Sequence, residues 1–270
     1  MLQRIKSTST FIQEKINCRP EVAIILGTGL GGLETQIEII QSIPYSEIPN
    51  FPVSTVEGHK GQLILGKTGG KIVLAMQGRF HYYEGYSMDE VTFPVRVFKA
   101  LGINTLFVSN ASGGLNPDYK VGDIMVISDH INFFGTNPLL GPNIKEFGPR
   151  FPSMNEAYDK NLRNKAFDIA SEHGISLREG IYVGVSGPTY ETPAEYRMFR
   201  LLGGDAVGMS TVPEVIVAKH MGMQVFGISI ITDSGAPGEI KEITHEEVQK
   251  VARKAEPIAS LVIRELVKSL

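Results

Sequence analysis

Arg79, His81 and Tyr83 stand one residue apart in the string Met76-Gln-Gly-Arg-Phe-His-Tyr-Tyr-Glu-Gly-Tyr86. A permanent cation, a titratable imidazole and a phenol gathered in one place suit an oxyanion and a hydroxylated ligand. The run before them, Lys71-Ile-Val-Leu-Ala75, reads as a buried strand. If the segment stays extended past Gly78, all three side chains project to one side. The bland alternative is a solvated edge carrying a stray arginine.

Four further strings have residue types that bring backbone or hydroxyl groups close to a ligand. Gly27-Thr28-Gly29-Leu30-Gly31-Gly32 follows an apolar run, and its glycines let N–H groups approach an anion while Thr28 adds a hydroxyl. It lacks the Gly-Lys-Ser/Thr ending of a Walker loop and the Gly-x-Gly-x-x-Gly spacing of a dinucleotide turn. In Asn110-Ala-Ser-Gly-Gly-Leu-Asn-Pro117 small residues again bring backbone close to a neighbouring group, with a plain strand-to-loop turn as the bland alternative. In Gly187-Pro-Thr-Tyr-Glu-Thr192, Tyr190 offers a stacking ring and Glu191 a carboxylate. Glu195, just beyond, falls in a first helical turn and is read as structural. In Gly208-Met-Ser-Thr-Val-Pro-Glu214, Ser210 or Thr211 is placed to cap a helix, and a hydroxyl with free N–H groups there also suits phosphate. Thr232-Asp233 ends an apolar run, and His245 follows a Gly-Pro-Lys-Glu-rich loop; a lone histidine of that kind is more often a surface or helix-start residue.

The elements that must position these groups alternate. Val22–Leu26, Ile72–Met76, Thr105–Asn110, Ile124–Asp129, Ile181–Val185 and Val225–Ile231 read as strands, most apolar on both faces as a covered sheet requires. Helical patterns fill Met88–Leu101, Tyr158–His173, Pro193–Leu202, Thr211–Met221 and Thr244–Leu270, the first four each stopping at a glycine. The last opens with a capping box, Thr244-His-Glu-Glu247. Ile43–His59, Asn132–Ser153 and Ser234–Ile243 read as long loops of the kind used for lids or subunit contacts. The expectation is one α/β domain over residues 1–270, with a mixed, mainly parallel central sheet flanked by helices.

Composition narrows the class. The 270 residues are 42% hydrophobic with a formal net charge of −3, enough for a sizeable core and without a basic face for nucleic acid. The single cysteine, Cys18, excludes an internal disulfide framework and a cysteine-based metal cluster. No run approaches the about 20 apolar residues of a membrane span, and Met1–Asn17 lacks the continuous apolar core of a signal peptide. The expected setting is the cytoplasm, with no membrane partner.

The five strings together, in this order, resemble the trimeric, low-molecular-mass purine nucleoside phosphorylases, and the likeness runs from Ile24 to the C-terminal helix. The resemblance implies a pentosyltransferase that cleaves purine (2′-deoxy)ribonucleosides with inorganic phosphate, giving the free base and (deoxy)ribose 1-phosphate. Phosphate is then a co-substrate, and neither a cofactor nor a metal is expected. It implies His81, Glu191, Asp233 and His245 as catalytic residues. Phosphate would be held by Thr28, His59, Arg79, His81, the Ala111 backbone and Ser210. Tyr83, Met209 and His245 would face the ribose. Glu191 and Asp233 would meet the base, with Tyr190 and Val207 packed on it. Phe151 would reach a neighbouring subunit's sugar pocket in a homotrimer.

Two positions depart from the family pattern. Thr28 stands where serine is usual and keeps the hydroxyl. Asp233 stands where members specific for 6-oxopurines have asparagine. An ionised aspartate only accepts hydrogen bonds, so it repels a purine O6 unless it is protonated, and it suits a 6-amino group. Methylthioadenosine phosphorylases carry aspartate in this area but lack the Tyr-Glu-Thr string of 190–192. Glu191 accepts N1–H of a 6-oxopurine and disfavours the bare N1 of adenine. Inosine and guanosine are therefore the expected substrates, and an adenosine- or 5′-methylthioadenosine-directed phosphorylase is the alternative. A nucleoside sensor and a water-using hydrolase remain as other classes; the first leaves the intact polar set idle, the second leaves the phosphate donors without a purpose.

Overall fold

All five residues of strand β1 (Val22–Leu26) are buried, which is why Val-Ala-Ile-Ile-Leu shows no alternation. In the computed structural model, which describes residues 1–28, 36–56 and 60–270, β1 lies between two parallel neighbours, β4 (Lys71–Gln77) and β5 (Thr105–Gly114). Beyond β4, strands β3 (Gln62–Thr68) and β2 (Glu38–Pro44) add antiparallel and end the sheet. On the other side of β5 come β8 (Ala206–Gly208), β7 (Arg178–Val185), β6 (Ile124–Phe133) and β9 (Gln224–Ser234). Because β9 also pairs with β5, these last strands and β5 close a five-membered ring, and β1 to β4 form an open wing attached to it. Among the described residues five of the nine strand pairings are parallel, so the sheet is mixed with only a slight parallel majority.

Helices cover both faces. On one face α1 (Leu2–Lys15), α2 (Met88–Ala100) and α5 (Val212–His220) pack into a core that includes Ile5, Ile12, Phe93, Val97 and Val215. On the other, α3 (Lys160–Glu172) and α6 (His245–Lys268) meet Val22, Ile24, Phe107 and Ile228. The apolar stripe of α6 follows helical spacing through Val248, Ala252, Ala255, Ala259, Val262 and Leu266. Val262, Ile263 and Leu266 are fully buried, each worth roughly 1.5–3 kcal/mol over an exposed position. The Thr244–Glu247 capping box forms as its spelling predicts. α4 (Pro193–Leu201) closes a smaller cluster with Leu115, Val183 and Val207.

The six expected strands are present. Beyond these six come α1, β2, β3 and the three-residue β8. β2 is almost wholly exposed and α1 buries only Ile5, Thr8, Ser9 and Ile12, so neither carries a strong apolar period. A second difference matters more for the site. Asn110–Gly114 is not a turn: β5 runs on through it. β1 stops pairing at Val108 and β8 begins pairing only at Gly113. Between these points one flank of β5 is exchanged from one neighbour to another, and such switch points leave a crevice at the strand ends.

Candidate active site

That crevice is a cleft of about 670 Å3, mouth included, and it collects residues from seven segments. Thr28 follows β1, and Arg79 follows β4. Ala111 and Gly113 lie on β5, Val207 and Met209 on or just after β8. Asp233 ends β9, Glu191 comes from the loop after β7, and His245 opens α6.

One end is built around Arg79, which is 1% exposed. Its Nε and Nη2 donate to Glu214 Oε1 and Oε2, both at 3.1 Å, a bidentate pair buried on both sides. Its Nη1 donates to the Ser109 carbonyl at 2.6 Å and to Ser210 Oγ at 3.2 Å. The guanidinium therefore reaches the cleft charge-balanced and with most of its donors committed. Ser210 is not a helix cap, and neither is the side chain of Thr211. Thr211 takes φ 72°, a left-handed conformation costly for a β-branched residue. It is held there by Asn110 Nδ2, which donates to Thr211 Oγ1 at 2.8 Å, while Ser229 Oγ donates to Asn110 Oδ1 at 2.5 Å. A buried polar chain thus fixes Ser210 against Arg79. Gly27 approaches so closely that a Cβ there would lie 2.9 Å from Asn110 Cα.

His81 adjoins this end. The chain does not stay extended as the alternation of 79, 81 and 83 predicts; it enters a 3-10 turn at Tyr82–Glu84, and Tyr83 comes to stack on His81 with centroids 4.7 Å apart. Arg79, His81 and Tyr83 nevertheless all line the cleft. Glu84 Oε1 accepts from the His81 backbone N–H at 2.7 Å and faces Nδ1 at 3.1 Å, and its Oε2 accepts from the Thr55 amide and hydroxyl. Burial alone raises the Glu84 carboxyl, but the His81 and Thr55 hydrogen bonds outweigh it and hold it at about 2. A carboxylate only accepts, so Nδ1 carries the proton and Nε2 is the acceptor of a neutral ring. Burial, aided by Arg79, lowers His81 below its ordinary value despite Glu84.

At the other end Glu191 and Asp233 face each other's surroundings. β9 carries an extra residue against β5: Ser112 pairs with Ile231 and Gly113 with Asp233, so Thr232 is bulged out. The bulge turns both Thr232 and Asp233 into the cleft wall. Burial chiefly pushes Glu191 up to about 7, with the Asp233 charge adding to it. Burial also raises Asp233, against hydrogen bonds from Thr232 and Tyr196. Glu195, by contrast, caps α4: its Oε2 accepts from the Thr192 N–H and hydroxyl, as its place in the sequence predicts.

The structure brings together Thr28, Arg79, His81, Ala111 and Ser210 with Tyr83, Tyr190, Glu191, Val207, Met209, Asp233 and His245. Phe151 lies apart. It is 89% exposed and borders a separate hollow with His130, Leu139, Leu140 and Arg150. His59 and Gly29–Gly32 lie outside the described residues. Sequence reasoning quoted Glu84, Asn110 and Glu214 within its strings without giving them a role, and it passed over Tyr196. A carboxylate three residues after a candidate site histidine is the signal that points to Glu84, whereas Glu214 lies 135 residues from Arg79 and no spacing links the two. Among the described residues no three His, Cys, Asp or Glu stand together as a metal site, and no helix is long and apolar enough to cross a membrane.

Comparison with known proteins gives a consistent result. Residues 21–268 match the family model described as the phosphorylase superfamily. A purine nucleoside phosphorylase 1 of Geobacillus stearothermophilus is 54% identical over 266 residues, covering 98% of this chain and 97% of that protein. A crystal structure of Schistosoma mansoni purine nucleoside phosphorylase in complex with adenosine superposes with a TM-score of 0.94 at 42% identity, covering 100% of this chain and 98% of the other. A Schistosoma purine nucleoside phosphorylase in complex with hypoxanthine gives 0.93 at 42% identity over the same shares.

Proposed function

The chain belongs to the phosphorylase superfamily, among its purine nucleoside phosphorylases, and from that premise we propose that its preferred substrates are the 6-oxopurine nucleosides. The reaction replaces the bond from the sugar C1′ to the purine nitrogen by a bond from C1′ to a phosphate oxygen. Its transition state is oxocarbenium-like, with positive charge on the sugar and negative charge on the departing base. One end of the cleft supplies hydroxyls (Thr28, Ser210), the Ala111 N–H, the His81 imidazole and the Arg79 guanidinium to align phosphate. His59 belongs to this group by family likeness alone. Tyr83, Met209 and His245 line the stretch where the ribose would lie, and Tyr190 and Val207 would pack on the base.

The observation that carries the base preference is Glu191, a carboxyl in the same cleft as the anion group. Ionised, it accepts N1–H of hypoxanthine or guanine; adenine offers no hydrogen there. Asp233 favours the second reading, because an ionised carboxylate at that place suits a 6-amino group. A phosphate-dependent assay over inosine, guanosine, adenosine and 5′-methylthioadenosine separates the two. We expect the highest kcat/KM on inosine and guanosine; a maximum on adenosine or methylthioadenosine overturns the preference. The complete enzyme is proposed to be a cytoplasmic homotrimer in which Phe151 of one protomer reaches the sugar end of a neighbour's cleft, a role that fits its 89% exposure in the single chain.

A further inference from the structure

Thr211 occupies the N-cap position of α5 without capping it. Its backbone sits at φ 72°, and its hydroxyl meets Asn110 and Ser210 instead of the helix N–H groups. Thr211 is 1% exposed and lies behind the cleft wall, whereas Ser210 is half-buried and lines the cleft. A β-branched residue holds such a backbone only where its surroundings enforce it, and strain of this kind gathers where a side chain has to be aimed.

The hydrogen bonds around Thr211 run in one direction. Each hydroxyl has one proton to give, and a side-chain amide donates only through its nitrogen. Ser229 Oγ donates to Asn110 Oδ1 at 2.5 Å, so its proton is taken, and the 2.6 Å contact with Ser112 Oγ is filled by the Ser112 proton. Asn110 Nδ2 then donates to Thr211 Oγ1 at 2.8 Å. The direction between Thr211 and Ser210, 3.0 Å apart, follows from what each would leave over. Were Ser210 the donor, the buried Thr211 proton would find no acceptor among the described residues, which is costly. Thr211 therefore donates to Ser210. Arg79 Nη1 donates to the same oxygen at 3.2 Å. Both lone pairs of Ser210 Oγ are then filled, and its own proton is what remains for the cleft. Tyr182 Oη, buried behind Gly208, makes no hydrogen bond among the described residues and leaves that proton untaken.

We propose that Thr211 is a positioning residue for phosphate: it closes a one-way hydrogen-bond chain, from Ser112 through Ser229 and Asn110 to Ser210, that points the Ser210 hydroxyl proton at the co-substrate. The proposal rests on the reading of Ser210 as a phosphate contact. A phosphate dianion presents chiefly acceptor oxygens, so a serine hydroxyl serves it as a donor. Two donors on Ser210 Oγ, one of them a cation, also polarise its O–H and strengthen it as a donor. Because the orientation is set in advance, phosphate does not have to turn the hydroxyl away from a competing acceptor.

The test compares Thr211→Ala with Thr211→Ser in the whole enzyme; both lack the β-branch, and they differ from each other only in the hydroxyl. The alanine variant is expected to raise the KM for phosphate about tenfold, the scale of a misdirected hydrogen bond to a charged group, and to move the KM for inosine less than about twofold. The serine variant is expected to stay within about twofold of the parent for both substrates. Thr211→Val, which keeps the shape of threonine, should match the alanine variant and replaces it if alanine does not fold. In a Ser210→Ala background, Thr211→Ala is expected to add less than about twofold to the KM for phosphate, because threonine acts through a hydroxyl that is no longer there. A merely structural threonine costs the same in both backgrounds. Equal phosphate KM values in the alanine and serine variants, or the full loss repeated in the Ser210→Ala background, overturns the proposal. So does a lowered phosphate KM in the alanine variant, the sign of a chain that runs the other way. If Ser210→Ala alone leaves the KM for phosphate unchanged, it is the reading of Ser210 as a phosphate contact that fails instead.

Discussion

Glu191 can accept a hydrogen bond from a 6-oxopurine only while ionised, and burial has moved its titration to about 7. A carboxyl with a raised value loses its charge as pH falls through that value. Between about pH 8 and about pH 6, kcat/KM for inosine should therefore fall relative to that for adenosine, whose N1 accepts from the protonated acid. Steady-state rates on both substrates across this range check it, and Glu191→Gln should abolish the trend and cut the preference for inosine by ~10-fold or more. A second residue-scale expectation concerns Glu84, which fixes the His81 tautomer from behind. Glu84→Gln should raise the KM for phosphate about tenfold and leave that for inosine nearly unchanged. At this scale the sequence was informative because its five strings supply most of the residues that line the cleft. It was silent on Tyr196, whose hydroxyl donates to Asp233 on a distant strand. It also could not show that Arg79, read as a cation for phosphate, is balanced by Glu214.

Elements place these residues through irregularities as much as through regular structure. The bulge that sets Thr232 beside Asp233 has no spelling in Ile-Ile-Thr-Asp-Ser, because it arises from pairing with β5 rather than from local preference. The run of β5 through Asn110–Gly114 was hidden for a related reason. Its small residues look like a turn when viewed alone, yet they are small because other groups crowd them. At Gly113 a Cβ would stand 3.0 Å from Asp233 Oδ2 and 3.5 Å from the Tyr196 hydroxyl. Gly113→Ala should displace the Asp233 carboxyl and lower kcat/KM for inosine about tenfold, with the KM for phosphate unaffected, since atomic shifts of this size near reacting groups are felt strongly. Equal losses in both substrates' KM values would mean that β5 itself has moved. Helix ends were easier to read: the capping box at Thr244 depends on residues three apart and forms, and Glu195, read as structural, completes another at Thr192. Thr211 shows the limit of that rule, because its strained backbone serves the polar chain from Asn110 and not a cap.

At the scale of the whole molecule, α/β alternation and two-sided burial were legible, since a covered sheet leaves apolar runs that need no partner to recognise. The closing of five strands into a ring was not, because it depends on which strands meet across long separations. Assembly is likewise a property of surfaces. If Phe151 completes a neighbour's cleft, protomers carrying Phe151→Ala and protomers carrying Ser210→Ala should be poorly active alone. Refolded together, they should recover a fraction of the parent activity, because some mixed trimers then contain an intact cleft next to an intact Phe151. Activity of the mixture equal to the average of the separate variants would show that Phe151 acts within its own chain or not at all. The double membership of β5 has one more outcome. It is hydrogen-bonded to β1 on one flank and to β9 on the other, so parting the wing from the ring strips one edge from the very strand on which the ring closes. Melting should accordingly run as one event, the amides of Leu106 to Val108 should exchange with deuterium no faster than the entire chain unfolds, and neither half of the gene product, cut before Thr105, should hold its shape without the other.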